Sequence, residues 1–339
     1  MKQKISYKAW TATAVVVLIT GLTAYSAFFA AATSEKGDAY LYIRSTDSEE
    51  IVTHKLDSLV GGLKRRSITG LRRLTGEEIQ PGRYQAGQGT SVIRLFRNLT
   101  RGNQAPVRVV VPAVRTMSDL AERLARQLMA TKAEWERTFA DSALCAEVDC
   151  TPATLPAIFI PNTYEYYWTV EPATLVRKMK KESQRFWTDE RRRLADELGF
   201  TPTEVITLAS IVDQETTYEP EKADVAAMYI NRLKTGMKLQ ADPTVKFALG
   251  DFTLRRILHQ HLTVDSPYNT YRYAGLPPGP IAIPQVGSID AVLHHSKHDY
   301  LFMCAKEDFS GCHNFAKTYA EHQKNAARYA EALNRRGIK

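Results

Sequence analysis

The sequence predicts an α+β protein that is mainly helical, with a membrane-spanning helix ahead of two folded parts. An uncharged apolar run occupies residues 10–32. Sequence patterns of short strands and short helices follow, ending with a β-branched segment at residues 107–111. The rest of the chain shows the spacing of longer amphipathic helices. The 339 residues suffice for about two domains. We predict a cytoplasmic tail at residues 1–9, an anchor at 10–32, a small mixed α/β module at 38–113, and a larger, mainly helical domain at 114–339 with a short β-hairpin or sheet.

The apolar run favours an uncleaved membrane anchor over a signal peptide. The apolar region of a signal peptide spans roughly 7 to 15 residues, whereas a helix needs about 20 to cross a bilayer. Lys2, Lys4 and Lys8 precede the run and favour a cytoplasmic N-terminus, which leaves the folded parts outside that membrane. The small residues at 30–33 leave cleavage open as an alternative.

The first module is predicted from short alternating and helical patterns. Strands are expected at residues 39–43, after the turn at 81–84, and at 107–111. Helices are expected at 48–60, where Gly61 and Gly62 end the pattern, and at 68–74 and 91–99.

The larger domain is predicted from longer helical patterns. Helices are expected at residues 118–130, 132–140, 171–198, 202–215, 220–234, 288–294 and 317–335, with a strand at 300–305. Residues 145–150 are expected in a loop. The segment at 240–284 is rich in Pro, Gly, Asn and Tyr, and long ordered loops of this kind are where functional sites tend to lie.

The charge and the cysteines agree with an exported domain. The net charge of +8 suits an anionic partner, such as a membrane surface or a carboxylate-bearing polymer, and the predicted compartment disfavours nucleic acid. The even number of cysteines suggests disulfides. A bond between Cys304 and Cys312 would link the two ends of a predicted hairpin loop. Cys145 and Cys150 form the other close pair. Free thiols are the alternative, and the spacing disfavours zinc.

One carboxylate stands out within the predicted helix at 202–215. Thr201, Pro202 and Glu204 form a strong helix start with a capping box. At 100° per residue, Glu215 shares a face with the apolar residues Leu208, Ile211 and Val212, whereas Asp213 points nearly the opposite way. Desolvation raises the pKa of such a carboxyl group, as a general acid near neutral pH requires. The alternative is a solvated carboxylate at the helix end.

Other candidate sites are weaker. The histidines at 294, 295 and 298, and those at 259 and 261, lack the spacing of a metalloprotease site, so no metal is predicted. Ser210 lacks the context of a serine nucleophile. Glu215 therefore remains, supported by Asp213, Asn231, Asp242 and the tyrosine-rich loops.

Five blocks then carry a resemblance to a known family. The chain resembles the endolytic murein transglycosylases of the YceG-like family at residues 208–216, 229–233, 236–245, 268–271 and 275–281, which read LASIVDQET, YINRL, GMKLQADPTV, YNTY and GLPPGPI. The order and spacing of the blocks are more specific than any one of them. More loosely, the first module resembles the family's LysM-like module, and the single anchor also fits.

The resemblance implies a reaction and a site. Glu215 would be the only acid/base in cleavage of the β-1,4 bond between N-acetylmuramic acid and N-acetylglucosamine, inside strands that are expected to be nascent, giving 1,6-anhydro ends without water or a cofactor. The expected partners are peptidoglycan strands, the inner membrane and peptidoglycan synthases. The residues expected to bind substrate are Asn231, Gln240, Asp242, Thr244, Tyr268, Asn269, Thr270 and Tyr271.

Two alternatives remain open at this point. A membrane-tethered glycan-binding scaffold without activity would use the same module and aromatic residues. A hydrolytic muramidase would need a second carboxylate. Asp213 is directed away from Glu215, but Asp242 could serve if its loop folds back over the helix.

Overall fold

The computed structural model describes residues 7–33, 37–87, 89–254 and 256–336, and the chain divides into two compact units. The first unit comprises Met1–Val109, Gln127–Met129 and Glu165–Val170. The second comprises Val110–Arg126, Ala130–Tyr164 and Glu171–Lys339. The predicted class is confirmed, because the protein is α+β and mostly helical, with small two-stranded sheets.

The N-terminal helix α1 spans Tyr7–Phe28. Its segment Trp10–Phe28 is long and apolar enough to cross a membrane, judged by length and composition. Residues 1–6 of the predicted tail lie outside the described residues. The predicted anchor extends to residue 32, but α1 ends at Phe28. The chain that follows bonds to the segment before α4, where Ala32 N donates to Thr90 O at 2.6 Å and Val92 N donates to Ala30 O at 3.3 Å.

Two antiparallel strands with two helices between them form the centre of the first unit. Strand β1 pairs with β2 so that Tyr40 faces Gln85 and Ile43 faces Gly82. Ser48 caps the first of the helices by accepting a hydrogen bond from Ile51 N. The elements of this part are β1 (Tyr40–Ile43), α2 (Glu49–Val60), α3 (Gly62–Thr75), β2 (Gly82–Gln85) and α4 (Val92–Arg101).

The core of the first unit consists of side chains from all five of these elements. Leu41, Leu56, Ile68, Tyr84 and Leu95 belong to it, each at most 4% exposed. The predicted helix at 68–74 is longer than expected, because α3 begins at Gly62. Gly61, with a φ of 78°, ends α2 and separates the two helices.

Strands β3 (Val107–Val111) and β4 (Asn162–Tyr166) lie where the chain passes from one unit to the other. The second unit is mainly helical. Its elements are α5 (Met117–Gln127), α6 (Lys132–Ala140), α7 (Ser142–Glu147), α8 (Pro172–Phe186), α9 (Asp189–Leu198), α10 (Pro202–Glu215), α11 (Lys222–Lys234), α12 (Asp242–Leu249), α13 (Val286–Leu293), β5 (Phe302–Ala305), β6 (His313–Ala316) and α14 (Tyr319–Arg335).

Helix α10 lies at the centre of the second unit, where it packs against α11, α12 and α13. Leu208 and Ile211 of α10, Ile230 of α11 and Ile289 of α13 are fully buried in this core. Burying one such side chain contributes about 1.5–3 kcal/mol, so this cluster positions the end of α10 firmly.

Three sequence predictions about elements need correction. The helical region at 171–198 is two helices, because the chain breaks at Trp187 and Thr188 caps α9. Residues 142–147, partly expected in a loop, form α7. The segment at 240–284, predicted as a loop, contains α12. The sequence Asp242-Pro243 is typical of a tight turn, but it also suits the start of a helix. Proline lacks a backbone N–H, and the N–H groups of the first helical turn have no partner within the helix.

The cysteines also differ from expectation, because all four are free thiols. In the β5–β6 hairpin, Cys304 pairs with Asn314, and Lys306 N donates to Cys312 O. Cys304 and Cys312 are therefore diagonal neighbours across the ladder. Diagonal residues are about 7–8 Å apart, beyond the range in which a disulfide closes without movement of the backbone.

Candidate functional site

Glu215 is the last residue of α10, and the ends of this helix are as the sequence predicts. At its start, Glu204 N donates to Thr201 Oγ1 at 3.3 Å and Thr201 N donates to Glu204 Oε2 at 2.7 Å, which completes the capping box. At its end, Thr216 adopts an extended conformation. Glu215 is therefore fixed by the helix at one side and adjoins irregular chain at the other.

The predicted directions of the two carboxylates on α10 are confirmed. Leu208, Ile211 and Val212 are buried as predicted, but all residues from 205 to 212 are buried, so α10 is enclosed on every side and lacks the single apolar face that the spacing predicts. Asp213 instead accepts hydrogen bonds from Lys222 Nζ at 3.1 Å and from Ser288 Oγ at 2.5 Å. Asp213 is thus a buried structural partner of α11 and α13, and it does not lie with Glu215.

The environment of Glu215 raises its pKa to about 7. Burial is the largest cause, although the residue retains partial exposure to solvent. The hydroxyl of Tyr229 donates to Glu215 Oε1 at 2.6 Å and lowers the pKa in part. The charge of Asp242 raises it further, whereas His313 and Lys246 lower it. The carboxyl group can therefore hold a proton near neutral pH and still release it, which is the property of a general acid/base.

Asp242 and Tyr271 form a second polar pair beside this carboxyl group. The hydroxyl of Tyr271 donates to Asp242 Oδ1 at 2.6 Å. Burial, followed by the Asp242 carboxylate, raises the pKa of Tyr271. Because the charge of Asp242 acts on Glu215, α12 brings a second carboxylate into the electrostatic surroundings of the first.

Gln240 lies just before α12 in a strained conformation. Its φ of 53° is in the left-handed region, which costs a non-glycine residue about 1–2 kcal/mol. Its backbone N donates to Thr270 O at 3.1 Å, and its exposed side chain is 3.5 Å from Arg232 Nη1. Strain of this kind is common at functional sites.

Four of the predicted substrate-binding side chains are engaged by the fold itself. The amide of Asn231 donates to His298 O and Tyr300 O, and the amide of buried Asn269 donates to Leu262 O and Val264 O. The hydroxyls of Thr244 and Thr270 are buried and lie 2.8 Å apart. These contacts hold the loops in place. The other four predicted residues keep some exposure, as Asn231 does; they are Gln240, Asp242, Tyr268 and Tyr271.

Sequence reasoning missed two groups of this site. Tyr229 lies in the buried stripe of α11 and resembles a core residue, although a buried tyrosine hydroxyl normally has a partner, and that rule could have revealed its contact with Glu215. Arg232, also buried, donates to Leu301 O at 2.6 Å and Leu239 O at 2.7 Å, and thereby holds the chain that leads to Gln240.

Comparison with known proteins gives a family match over most of the chain. The sequence profile described as the YceG-like family matches residues 27–328. A crystal structure of a yceG-like protein from Listeria monocytogenes is similar to 85% of this chain and 98% of that one, with a TM-score of 0.57 and 25% sequence identity.

Two bacterial relatives are similar over a shorter region. An endolytic murein transglycosylase from Bacillus subtilis (strain 168) is 42% identical over 130 residues, which are 38% of this chain and 35% of that protein. Another from Streptococcus pneumoniae serotype 2 (strain D39) is 29% identical over 138 residues, 40% of this chain and 25% of that protein. The matched region thus spans about a third or a quarter of these relatives.

Proposed function

The chain belongs to the YceG-like family, and from this premise we propose that it is an endolytic murein transglycosylase. Its substrate is the glycan strand of peptidoglycan, and it cleaves the β-1,4 bond between N-acetylmuramic acid and N-acetylglucosamine within the strand. Two relatives that carry this name support the proposal. We further propose that Glu215 is its single catalytic acid/base.

The observation that carries this proposal is the state of Glu215. Its pKa of about 7 keeps a large share of the carboxyl group protonated near neutral pH. Because Tyr229 donates to Oε1, the transferable proton belongs on Oε2. An exposed glutamate, by contrast, would be almost fully ionised at this pH.

The chemistry needs one carboxyl group. Glu215 donates its proton to the glycosidic oxygen as the bond from that oxygen to the anomeric carbon of the muramic acid breaks. The 6-hydroxyl of the same sugar then forms a bond to that carbon, and its proton passes to the Glu215 carboxylate. The products are a 1,6-anhydro end and a free 4-hydroxyl, no water is consumed, and Glu215 is protonated again.

Gln240, Asp242, Tyr268 and Tyr271 are proposed to contact the sugars. Asn231, Thr244, Asn269 and Thr270, also expected to bind substrate, contribute by holding these loops, as their hydrogen bonds support.

The first unit, with two helices between paired strands, is proposed as the LysM-like module that holds the glycan strand. Helix α1 is compatible with a single-pass anchor, which we propose lies in the inner membrane, with the chain from residue 38 onward in the periplasm, near peptidoglycan synthases.

A hydrolytic muramidase is the second candidate, and the position of Asp242 favours it. Hydrolysis uses two carboxylates, one of which activates water or attacks the sugar. The charge of Asp242 reaches Glu215. Tyr271 OH, however, already donates to Asp242 Oδ1, so one oxygen of this carboxylate is occupied and unavailable to a water molecule.

Mass spectrometry of digested glycan strands tests both candidates. Transglycosylation leaves anhydro ends, whereas hydrolysis leaves reducing ends that are heavier by one water. We expect anhydro ends from the wild-type chain. The Glu215→Gln variant should fold normally and lose cleavage by at least about 10³-fold, since it removes the only proton donor. Glu197→Gln, an exposed carboxylate of α9, is the matched control and should cleave normally. Substantial cleavage by Glu215→Gln would reject the assignment.

A further inference from the structure

Two adjoining cavities form one groove in the second unit, which we call the Arg115 groove. The first cavity, of about 80 Å³, is lined by Arg115, Gln214, Lys246 and Phe252, among others. The second, of about 250 Å³, shares Arg115 and Ile281 with the first and continues it. The two cavities therefore adjoin across these two residues.

The first cavity of the Arg115 groove lies close to Glu215, although Glu215 itself lines neither cavity. Gln214 directly precedes the catalytic carboxylate on α10, and Lys246 lies close enough to lower the pKa of Glu215. Lys246 follows Asp242 by one turn of α12. We therefore take the first cavity to be within reach of a substituent on a sugar bound at Glu215.

The first cavity presents two positive charges, on Arg115 and Lys246, neither of which forms an ion pair with a carboxylate of the described residues. Arg115 Nε donates to Gln214 Oε1 at 3.1 Å, and its guanidinium carbon lies 5.3 Å from the centre of the Phe252 ring. These contacts orient the guanidinium group. Its two terminal nitrogens have no hydrogen-bond acceptor within the described chain, and neither has the ammonium group of Lys246. Such an oriented pair of cations suits a carboxylate ligand.

The second cavity is apolar where the first is charged. Its walls include Met117, Pro156, Phe247 and Tyr268. A ligand that fills the whole groove must therefore carry a carboxylate close to the sugar and an apolar part beyond it. A short peptide has both features, whereas an unsubstituted sugar ring has neither.

We propose that the Arg115 groove binds the short peptide that muramic acid carries on its lactyl group, with a carboxylate of that peptide held by Arg115 and Lys246. The inference rests on the proposed function, since it takes peptidoglycan as the substrate. It makes peptide-bearing strands the preferred substrate. The lactyl carboxylate of a peptide-free strand is the other source of negative charge, but it would leave the apolar cavity empty.

Calorimetric titration of the full chain in detergent tests this, using the Glu215→Gln variant so that binding is measured without cleavage. Three glycan oligosaccharides are compared: peptide-bearing, peptide-bearing with the peptide carboxyl groups converted to methylamides, and peptide-free. We expect the first to bind about tenfold more tightly than the other two, as one charge-assisted hydrogen bond would provide. Adding Arg115→Gln should remove this preference. Arg193→Gln, which removes an exposed positive charge on α9, is the control and should keep it.

Other outcomes would overturn the inference. Equal binding of peptide-free and peptide-bearing strands, both weakened by Arg115→Gln, would assign the groove to the lactyl carboxylate. Affinities unchanged by Arg115→Gln would exclude the groove altogether. Circular dichroism would reveal whether Arg115→Gln unfolds. In that case Arg115→Lys replaces it, because lysine keeps the charge but cannot bind a carboxylate through two parallel hydrogen bonds. It should give an intermediate preference for the peptide-bearing oligosaccharide. Failure of the proposed function is distinct, because it would appear as wild-type digests without anhydro ends, whatever the binding data show.

Discussion

At Glu215, burial and hydrogen bonding act on the same carboxyl group in opposite directions. Burial disfavours the charged form, and Asp242 adds to this, whereas the Tyr229 hydroxyl, His313 and Lys246 favour the charged form. The resulting pKa of about 7 lies between that of an exposed glutamate and that of a group locked in its neutral form. A residue that must first donate and then accept a proton needs such an intermediate value.

Tyr229→Phe should shift the pH dependence of cleavage upward. The hydroxyl of Tyr229 lowers the pKa of Glu215, so its removal raises that pKa. The donating form of Glu215 is protonated and disappears as pH rises through its pKa. The alkaline loss of activity, expected near pH 7 in the wild type, should therefore occur at higher pH in the variant. The measurement is kcat/KM on glycan strands between pH 5 and 9, with about a tenfold lower maximum expected because Oε1 loses its anchor.

The control for this variant is Tyr218→Phe, which removes a more exposed hydroxyl close to the same helix end. It should leave the pH profile unchanged. A lower maximum for Tyr229→Phe with the alkaline limb in its original place would mean that Tyr229 supports the fold only.

At the scale of the elements, α10 positions the site through its contact with the proline-rich segment that follows α12. The hydroxyl of Ser210 donates to Thr207 O at 2.7 Å and accepts from Ile281 N at 3.0 Å. Ser210 is fully buried, so this serine is a structural link between a helix and a loop. Ile281 in turn lines both cavities of the Arg115 groove.

Ser210→Ala should destabilise the protein by about 1–3 kcal/mol, because it leaves the buried N–H of Ile281 without an acceptor. Thermal unfolding followed by circular dichroism measures the effect as a lower Tm. The exposed Ser142→Ala substitution on α7 should change stability by less than about 0.5 kcal/mol. A Tm of Ser210→Ala equal to that of the wild type would show that the loop does not depend on this hydrogen bond.

At the scale of the whole molecule, the end of the apolar run belongs to the first unit. Ala32 is fully buried, Lys64 Nζ donates to Ala31 O at 2.6 Å, and the chain at 30–32 forms backbone hydrogen bonds with Thr90 and Val92. The chain that leaves α1 therefore adds a short extended segment to the folded unit. A cut within residues 30–33 would damage that unit.

Two truncations separate the anchor from this segment. A chain that begins at Phe29 should leave the membrane fraction and keep the stability of its first unit. A chain that begins at residue 34 should also become soluble, but it should unfold about 2 kcal/mol more easily, since it loses at least two buried backbone hydrogen bonds. Urea denaturation of the two chains gives the comparison. Equal midpoints would show that residues 29–33 contribute nothing to the unit.

The sequence by itself determined the elements whose signals are local. Capping residues, apolar spacing and glycine predicted α2 and α10 closely, and the same spacing correctly separated Glu215 from Asp213. The class of the fold follows from the same patterns. Such features depend on neighbours within about one helical turn, and those neighbours are visible in a linear chain.

Only the tertiary structure decided what surrounds the Glu215 carboxylate. Tyr229 lies 14 residues from Glu215 and Asp242 lies on a helix that the sequence did not reveal, yet both set its pKa. Likewise, Asn231 and Asn269 belong to the recognised blocks, but folding directs their amides to backbone carbonyls. Desolvation and hydrogen bonding depend on which distant segments meet, and that information exists only once the chain is packed.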